Sequence, residues 1–591
     1  MVPGLVVNLI DSYPRNMRYF TWKWSLSACN KEQLSKEHLE VPVETEHLKC
    51  DVLCVGGGIG GLMGAIRASE LGAKVIVAEK GNVMHSGKGG GGCDHYLCYI
   101  PEVHGADMDT YIAEMMQTQQ LHNFQTLGMK RIRTHIAQTF DIVKLWDNWG
   151  IQTKQNGKYH FAGHAFPGGL RCLLKYEGRR QKPILTEQAR KRKVRIINRV
   201  MVFDLTGKEA VSGAIGIDTR TGKIYTFEAG AVILGTGAVA RLFPAITPAW
   251  LNNNATRPTL TGDGRLMAYR AGAELQDVEM RMLHVGPKYF ARFGQATWVG
   301  VFRDPQDKPI GPFVTRPEGL YGDITPEVNK ALFHDYWASG RGPVYMDGRG
   351  ISEEDYRDMM HWFPHEGLTP VMEHMKEEGI DYRKNPVEFM TYDHGCQGRI
   401  VTNEKGETSL KGLYAIGEEL APGVSNASVF GWLCGENAVD YLKNAHEPDL
   451  GDMKEQAEEK AGLVEKILGR RDGADWREVN IALQQIMHDY AGLLRTEALL
   501  QAGSFHLARL KQKAYEIIRA GNQHEVARCL EVLNLIELGE LVFTGALERR
   551  ETRGTHTRLD YPLTNPRMNG KVHIQKKIDG KPVTEWRAET R

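Results

Sequence analysis

At 591 residues the chain is too long for one hydrophobic core, so two or three domains are expected. Its apolar fraction of 42% and charged fraction of 25% are those of a soluble globular protein, and a net charge of +1 gives no electrostatic reason to bind nucleic acid or an anionic membrane. The cysteines form no Cys-x-x-Cys pair, which argues against a disulfide framework and against an iron-sulfur cluster held by this chain. A reducing, cytoplasmic setting follows, and no metal site is expected. No apolar stretch reaches the length of a membrane span.

The first residues, MVPGLVVNLIDSYPRN, lack a charged leader region, and Asp11 interrupts their short apolar run. Residues 1–47 therefore read as an arm, with Tyr19, Trp22 and Trp24 available for packing.

Asp51 to Lys80 reads as strand, turn, helix and strand. Between the first strand and the helix stands Gly56-x-Gly58-x-x-Gly61. Gly56 allows a tight turn, Gly58 lets the backbone approach a pyrophosphate, and Gly61 lets helix and strand pack. The helix N-terminus offers unpaired N–H groups to the phosphates. Glu79 ends the second strand, where a carboxylate accepts from a ribose 2'-hydroxyl and repels a 2'-phosphate, which selects FAD or NAD over NADP. Gly60 and Lys80 are grouped with these residues as cofactor-binding.

A second glycine-rich segment, Ser86, Gly87 and Gly89 to Gly92, suits a loop laid against the longer of those cofactors, and Gly91 is included in its binding set. Here the chain resembles the flavoprotein subunits of the fumarate reductase and succinate dehydrogenase superfamily. In the members that bind FAD covalently a Ser-His element carries the link. The order His85-Ser86-Gly87 puts glycine at that position, so the resemblance implies non-covalent FAD.

Further along, Asp109 to Gln117 and Met129 to Asn148 read as amphipathic helices, the second closed by Trp149-Gly150, with Trp146 and Trp149 as core residues. A basic run from Arg179 through Lys182 to Arg195 reads as a solvated face, with Arg179 or Arg180 as the alternative contact for an anion. Val194 to Leu205 is expected as one strand, with Val202 at the position that meets adenine in similar proteins. The TRTG turn within residues 211–229 predicts a hairpin, and Ala231 to Gly237 returns a buried strand that passes close to FAD.

Residues 246–390 are assigned to a capping domain. Near its start, Thr261-Gly262-Asp263-Gly264 resembles the superfamily's TGDG beside FAD. Glu279-Met280-Arg281 resembles the Glu-x-Arg of the adenylylsulfate reductase alpha subunit, whereas His284 fits the substrate histidine of fumarate reductases. His334-Asp335 stands where those reductases carry Arg-Asp, so their usual acid is missing. The aromatic pair expected for adenylylsulfate is replaced by Arg257 to Leu260. His394 aligns with the superfamily's second substrate histidine, as general acid or anchor. Gly417-Glu418 and Ser428 resemble its FAD-binding residues, and the helix near Ser428 points its N-terminus at the flavin. Beyond residue 446 come long amphipathic helices, then Glu551-x-Arg553-Gly554-x-His556-x-Arg558-x-Asp560-x-Pro562, which reads as structural ion pairs with Arg553 as a further anion contact.

The expected fold is α/β: a Rossmann-like FAD-binding domain of the two-dinucleotide type (48–245 and 391–445), interrupted by an α+β capping domain and followed by a helical C-terminal domain (446–591). The expected function is two-electron exchange between a small anionic substrate, met by Arg281, His284 and His394, and a ferredoxin-like iron-sulfur partner in a hetero-oligomer. Adenylylsulfate reductase alpha-like chemistry leads, reduction of an unsaturated acid or thioester is the alternative, and a non-catalytic electron-transfer subunit is the third reading.

Overall fold

A computed structural model describes residues 44–117, 128–161, 170–244, 256–288, 297–311, 314–319, 336, 339–396, 398–445, 450–451 and 453–589. Tyr19, Trp22, Trp24, His334 and Asp335 lie outside the described residues.

A seven-stranded sheet organises the molecule. Its order is Arg195–Asn198, Val75–Glu79, Thr45–Val55, Ile224–Leu234, Gly213–Asp218, Val200–Thr206, with Leu413–Ala415 also pairing with Ile224–Leu234. Thr45–Val55 is parallel to both its neighbours, and its residues alternate between two cores. Val52 and Cys54 join one apolar cluster with the helices Ile59–Glu70, Met129–Trp149 and Val424–Leu442. Leu53 and Val55 join the other, with Asp263–Arg270 and the C-terminal helices. Both faces are covered, which is why this strand reads as an unbroken apolar run.

Two helices approach on one face at backbone distance. A Cβ at Gly431 would stand 2.4 Å from the Gly60 carbonyl oxygen, and one at Gly435 would stand 2.4 Å from that of Gly64. Trp146 is fully buried, its ring edge-on to Tyr96 at 5.3 Å between centroids.

The strand expected over Val194 to Leu205 is two strands. Arg199 turns the chain with φ 64, so Arg195–Asn198 and Val200–Thr206 end at opposite limits of the sheet order. The hairpin appears as Gly213–Asp218 against Ile224–Leu234, its turn held by Asp218 Oδ1, which accepts from the backbone N–H of Arg220 at 2.8 Å and Thr221 at 2.9 Å.

The cap is an antiparallel sheet in the order Arg281–Pro287, Val387–Cys396, Val344–Asp347, Val301–Arg303, backed by the helices Glu353–Trp362 and Thr369–Glu377. Trp298, Phe363, Tyr382 and Phe389 fill a small core of its own. Helix Asp263–Arg270, inside the stretch assigned to the cap, packs instead with the core of the large sheet.

Helices Trp476–Ala491, Glu497–Ile517 and Gln523–Glu548 form the C-terminal domain, each opened by a side-chain cap, from Asp475, Thr496 and Asn522. After them a hairpin, Lys571–Ile578 with Lys581–Ala588, adds to Leu275–Gln276 and Arg399–Ile400 in a second small sheet. No helix among the described residues is long and apolar enough to cross a membrane.

Candidate functional site

The site grows from the turn between Val55 and Ile59. Gly56 has φ 94, and a Cβ there would lie 2.5 Å from the Gly235 carbonyl oxygen; one at Gly61 would lie 1.9 Å from that of Gly56. These contacts leave no room for a side chain. Gly58, Gly87 and Gly417 differ: a Cβ at any of them meets no atom closer than 3.7 Å. A Cβ there would make only ordinary van der Waals contact, and the backbones of Gly58 and Gly87 face each other at the N-terminus of the helix Ile59–Glu70. Polar groups without partners among the described residues stand in the same segments: Ser86 Oγ, Glu418 Oε2 and both amide atoms of the fully buried Asn426. A cradle of bare backbone with unsatisfied polar atoms fits a long polar cofactor.

Glu79 is held by backbone. Its Oε2 accepts from Gly57 N at 2.7 Å and its Oε1 from Gly81 N at 2.6 Å, fixing the carboxylate at the strand end. Lys182 Nζ donates to the Gly57 carbonyl oxygen, and burial pushes its ammonium down to about 8, against the opposing pull of Glu79. The basic run thus hides one buried lysine on the glycine loop, while Arg179 and Arg180 are exposed. Gly91 lies in the short helix Lys88–Gly91, where Lys88 pairs with Glu418. Val202 is buried in its strand opposite Gly216, and Gly237 turns with φ 87.

Lys80 and Asp263 are placed together. Lys80 Nζ reaches Asp263 Oδ2 at 2.6 Å and Glu531 Oε1 at 3.0 Å, and Asn534 Nδ2 donates to Asp263 Oδ1 at 2.9 Å. Burial raises the Asp263 carboxyl, but Lys80, with the hydrogen bonds from Asn534 and Thr261, turns the net shift downward. Ser428 Oγ stands 2.9 Å from the Tyr96 hydroxyl and donates to the Ser425 carbonyl oxygen at 3.0 Å. Next to Glu418, the fully buried Glu419 is pushed up to about 7 by burial, with Arg265 Nε at 3.2 Å pulling the other way.

On the cap side, Arg281 Nε donates to Asp393 Oδ2 at 2.9 Å, and Nη2 donates to the same oxygen. The guanidinium carbon lies 4.1 Å from the Phe243 ring centroid. Burial raises the Asp393 carboxyl against the pull of Arg281. Arg281 pairs in register with Cys396 and Leu283 with Asp393, so the register shifts between them and the His394 backbone falls in the bulge. The His284 backbone pairs with Tyr392. Three predicted substrate residues thus lie on two adjacent strands.

Glu279, two residues from Arg281, does something else. Burial would raise its carboxyl, but Arg549, at 2.6 Å, holds it down at about 2. Arg553 pairs with Glu551 at 2.7 Å. Sequence reasoning missed Lys182, Asp393, Glu419 and Asn426. For Lys182 a signal existed: it shares a helix face with Leu185 and Ala189, both buried.

Fold and cradle together define an FAD-binding protein of the two-dinucleotide type. Residues 51–431 match the FAD binding domain family and residues 480–587 the fumarate reductase flavoprotein C-terminal family. The chain belongs to the FAD-dependent oxidoreductases of the fumarate reductase and succinate dehydrogenase superfamily. It is 25% identical to one subunit of the fumarate reductase (CoM/CoB) of Methanothermobacter marburgensis, over 91% of this chain and 99% of that protein. It is 27% identical to the L-aspartate oxidase of Yersinia pestis, over 61% of this chain and 66% of that protein. In structure it is similar to the adenylylsulfate reductase of Archaeoglobus fulgidus, with TM-score 0.80 at 22% identity, covering 95% of this chain and 99% of that one.

Proposed function

We propose that this chain is the flavin-bearing subunit of a complex that passes two electrons between a small anionic substrate and a ferredoxin-like iron-sulfur protein, with adenylylsulfate-reductase-like chemistry. FAD, held without a covalent link because Gly87 stands at the position of the linking histidine, supplies the two-electron redox centre. Ser86, Glu418 and Asn426 offer it their unsatisfied polar atoms, and Lys182 offers the loop a positive charge.

The observation that carries the reading is the placement of Arg281. Asp393 and the Phe243 ring hold it, the bonds to Asp393 use Nε and Nη2, and Nη1, which makes no hydrogen bond among the described residues, is the group we assign to an anion. To His284 and His394, whose backbones lie on the same two strands, we assign the holding or delivery of a proton. Glu279 anchors the Glu-x-Arg segment to the C-terminal domain through Arg549 and is spared for structure.

The chain, purified anaerobically with its partners and reduced, is expected to be reoxidised by adenylylsulfate, read as the return of flavin absorbance. Arg281→Gln should lower kcat/KM by about 100-fold. Reoxidation by fumarate or an enoyl thioester instead would establish double-bond chemistry, the reading favoured by the full-length alignment with the fumarate reductase chain. Silence towards all three would leave a non-catalytic electron-transfer subunit.

A further inference from the structure

Two groups of metal-ligating side chains meet where the cap touches the segment leaving the second glycine loop: Cys93, His95 and Glu366, and Glu177, His361 and His365. The first is committed to itself. His95 Nδ1 lies 2.8 Å from Asp94 Oδ1 and 3.1 Å from Glu366 Oε1, and that Glu366 oxygen also accepts from Asp94 N at 3.0 Å. The buried Asp94 is further held by Lys175 Nζ at 2.5 Å and by Thr297 Oγ1 at 2.9 Å. Seating an ion there would break this network.

In the second group Gln152 Nε2 donates to Glu177 Oε1 at 3.2 Å and to Oε2 at 2.5 Å, and each carboxylate oxygen keeps a further lone pair. The group's three donor atoms lie within 4.8 Å of one another. His365 Nδ1 is buried with no hydrogen-bond partner among the described residues. Glu177 is anchored by its backbone N–H, which donates to the Gln152 carbonyl oxygen at 2.9 Å. The two arms of the group also rest on consecutive residues of one segment. A Cβ at Gly92 would lie 2.4 Å from the His365 carbonyl oxygen, and one at Gly178, next to Glu177, would lie 2.1 Å from that of Cys93.

We infer that Glu177, His361 and His365 form a binding site for a divalent cation of the zinc class, which ties the cap to the segment following the second glycine loop. Two imidazoles and one carboxylate, with a fourth position left to water, are a donor set suited to Zn²⁺. Tetrahedral bonds of about 2.0–2.1 Å require donors about 3.3 Å apart, a contraction that side-chain rotation can supply. The inference stands apart from the substrate reading, since Arg281 takes no part and none of the three ligands is assigned to the cofactor, although Gly92, at the end of the second glycine loop, supports one arm.

The test uses the full flavin-loaded chain, stripped with a chelator and titrated calorimetrically with ZnCl₂, with zinc X-ray absorption to read the donor shell. One saturable equivalent is expected, bound through two imidazoles, with a rise in the melting midpoint. His361→Ala and His365→Ala should each weaken binding at least about tenfold, while Cys93→Ser leaves it unchanged. The metal-free variants should melt with metal-free wild type, which separates lost binding from misfolding. Absence of saturable binding, indifference to both histidine substitutions, or a sulfur donor lost with Cys93→Ser would each overturn the assignment.

Discussion

A lysine ammonium sealed against a carbonyl oxygen costs free energy unless an anion joins it. Lys182 is in that position beneath the glycine loop, its ammonium pushed down to about 8 from an ordinary 10.5. The unfolded lysine binds its proton more readily than the buried one, so the apoprotein should gain stability as pH rises from about 8 towards 10.5, read as a shift in urea midpoint. A diphosphate seated on this loop would reverse the preference by favouring the charged form. FAD affinity should therefore fall several-fold between about pH 7.5 and 9.5 in wild type and stay level in Lys182→Met, measured by equilibrium titration of the apoprotein. The glycines and Glu79 were legible in sequence because each has a local reason to exist. Lys182 was hidden among neighbours of the same charge, and only its register with Leu185 and Ala189 separates it from them.

At the scale of elements, what sequence conceals is where a chain reverses and what a long helix meets. Val194 to Leu205 has the composition of one strand, yet the positive φ at Arg199 sends its halves to opposite limits of the sheet order, and nothing in the residue types forces that turn. The helix Gln523–Glu548 is covered on nearly every side, so its apolar residues have no face to betray a period. The Glu-x-Arg-Gly-x-His segment was legible as ion pairing, and the structure supplies the partners. His556 Nδ1 lies 2.7 Å from Arg495 Nη1, and its Nε2 donates to the Arg549 carbonyl oxygen at 3.0 Å, a pattern that requires the neutral ring. Burial first, and Arg495 second, push His556 down to about 3. A histidine depressed in the fold loses stability as pH falls below its unfolded value near 6.5 and continues to lose it towards 3, at up to about 1.4 kcal/mol per pH unit. Urea unfolding at pH 7.5 and 5.0 should show this loss, and His556→Gln, which keeps an acceptor and a donor, should flatten it.

Across the whole molecule, the cofactor sheet and the C-terminal helices are joined by buried charge. Glu531 accepts Lys80 at 3.0 Å and Arg528 at 2.8 Å and also pairs with Arg241, whose carbonyl oxygen accepts from Asn480 Nδ2 at 2.9 Å. Asp263, at the start of the helix Asp263–Arg270, shares Lys80 with Glu531. Four segments distant in sequence thus meet in one ionic cluster, with Asn480 tied to it through a backbone carbonyl, and no local pattern could have announced it. The cluster also gives Lys80 a role that its neighbourhood to Glu79 does not suggest. Lys80→Met removes the cation that Asp263 depends on, leaving a carboxylate with 2% side-chain exposure to the hydroxyl of Thr261 and the amide of Asn534. Breaking one partner out of a buried pair costs about 3–5 kcal/mol, so the variant should unfold at markedly lower urea. If the ammonium serves as a clasp, FAD bound by the surviving folded chain should keep its affinity within about threefold, because Glu79 and the glycine turn are untouched. A tenfold loss of FAD affinity at unchanged stability would instead put Lys80 against the cofactor and leave the joint between sheet and helices to Arg241 and Arg528.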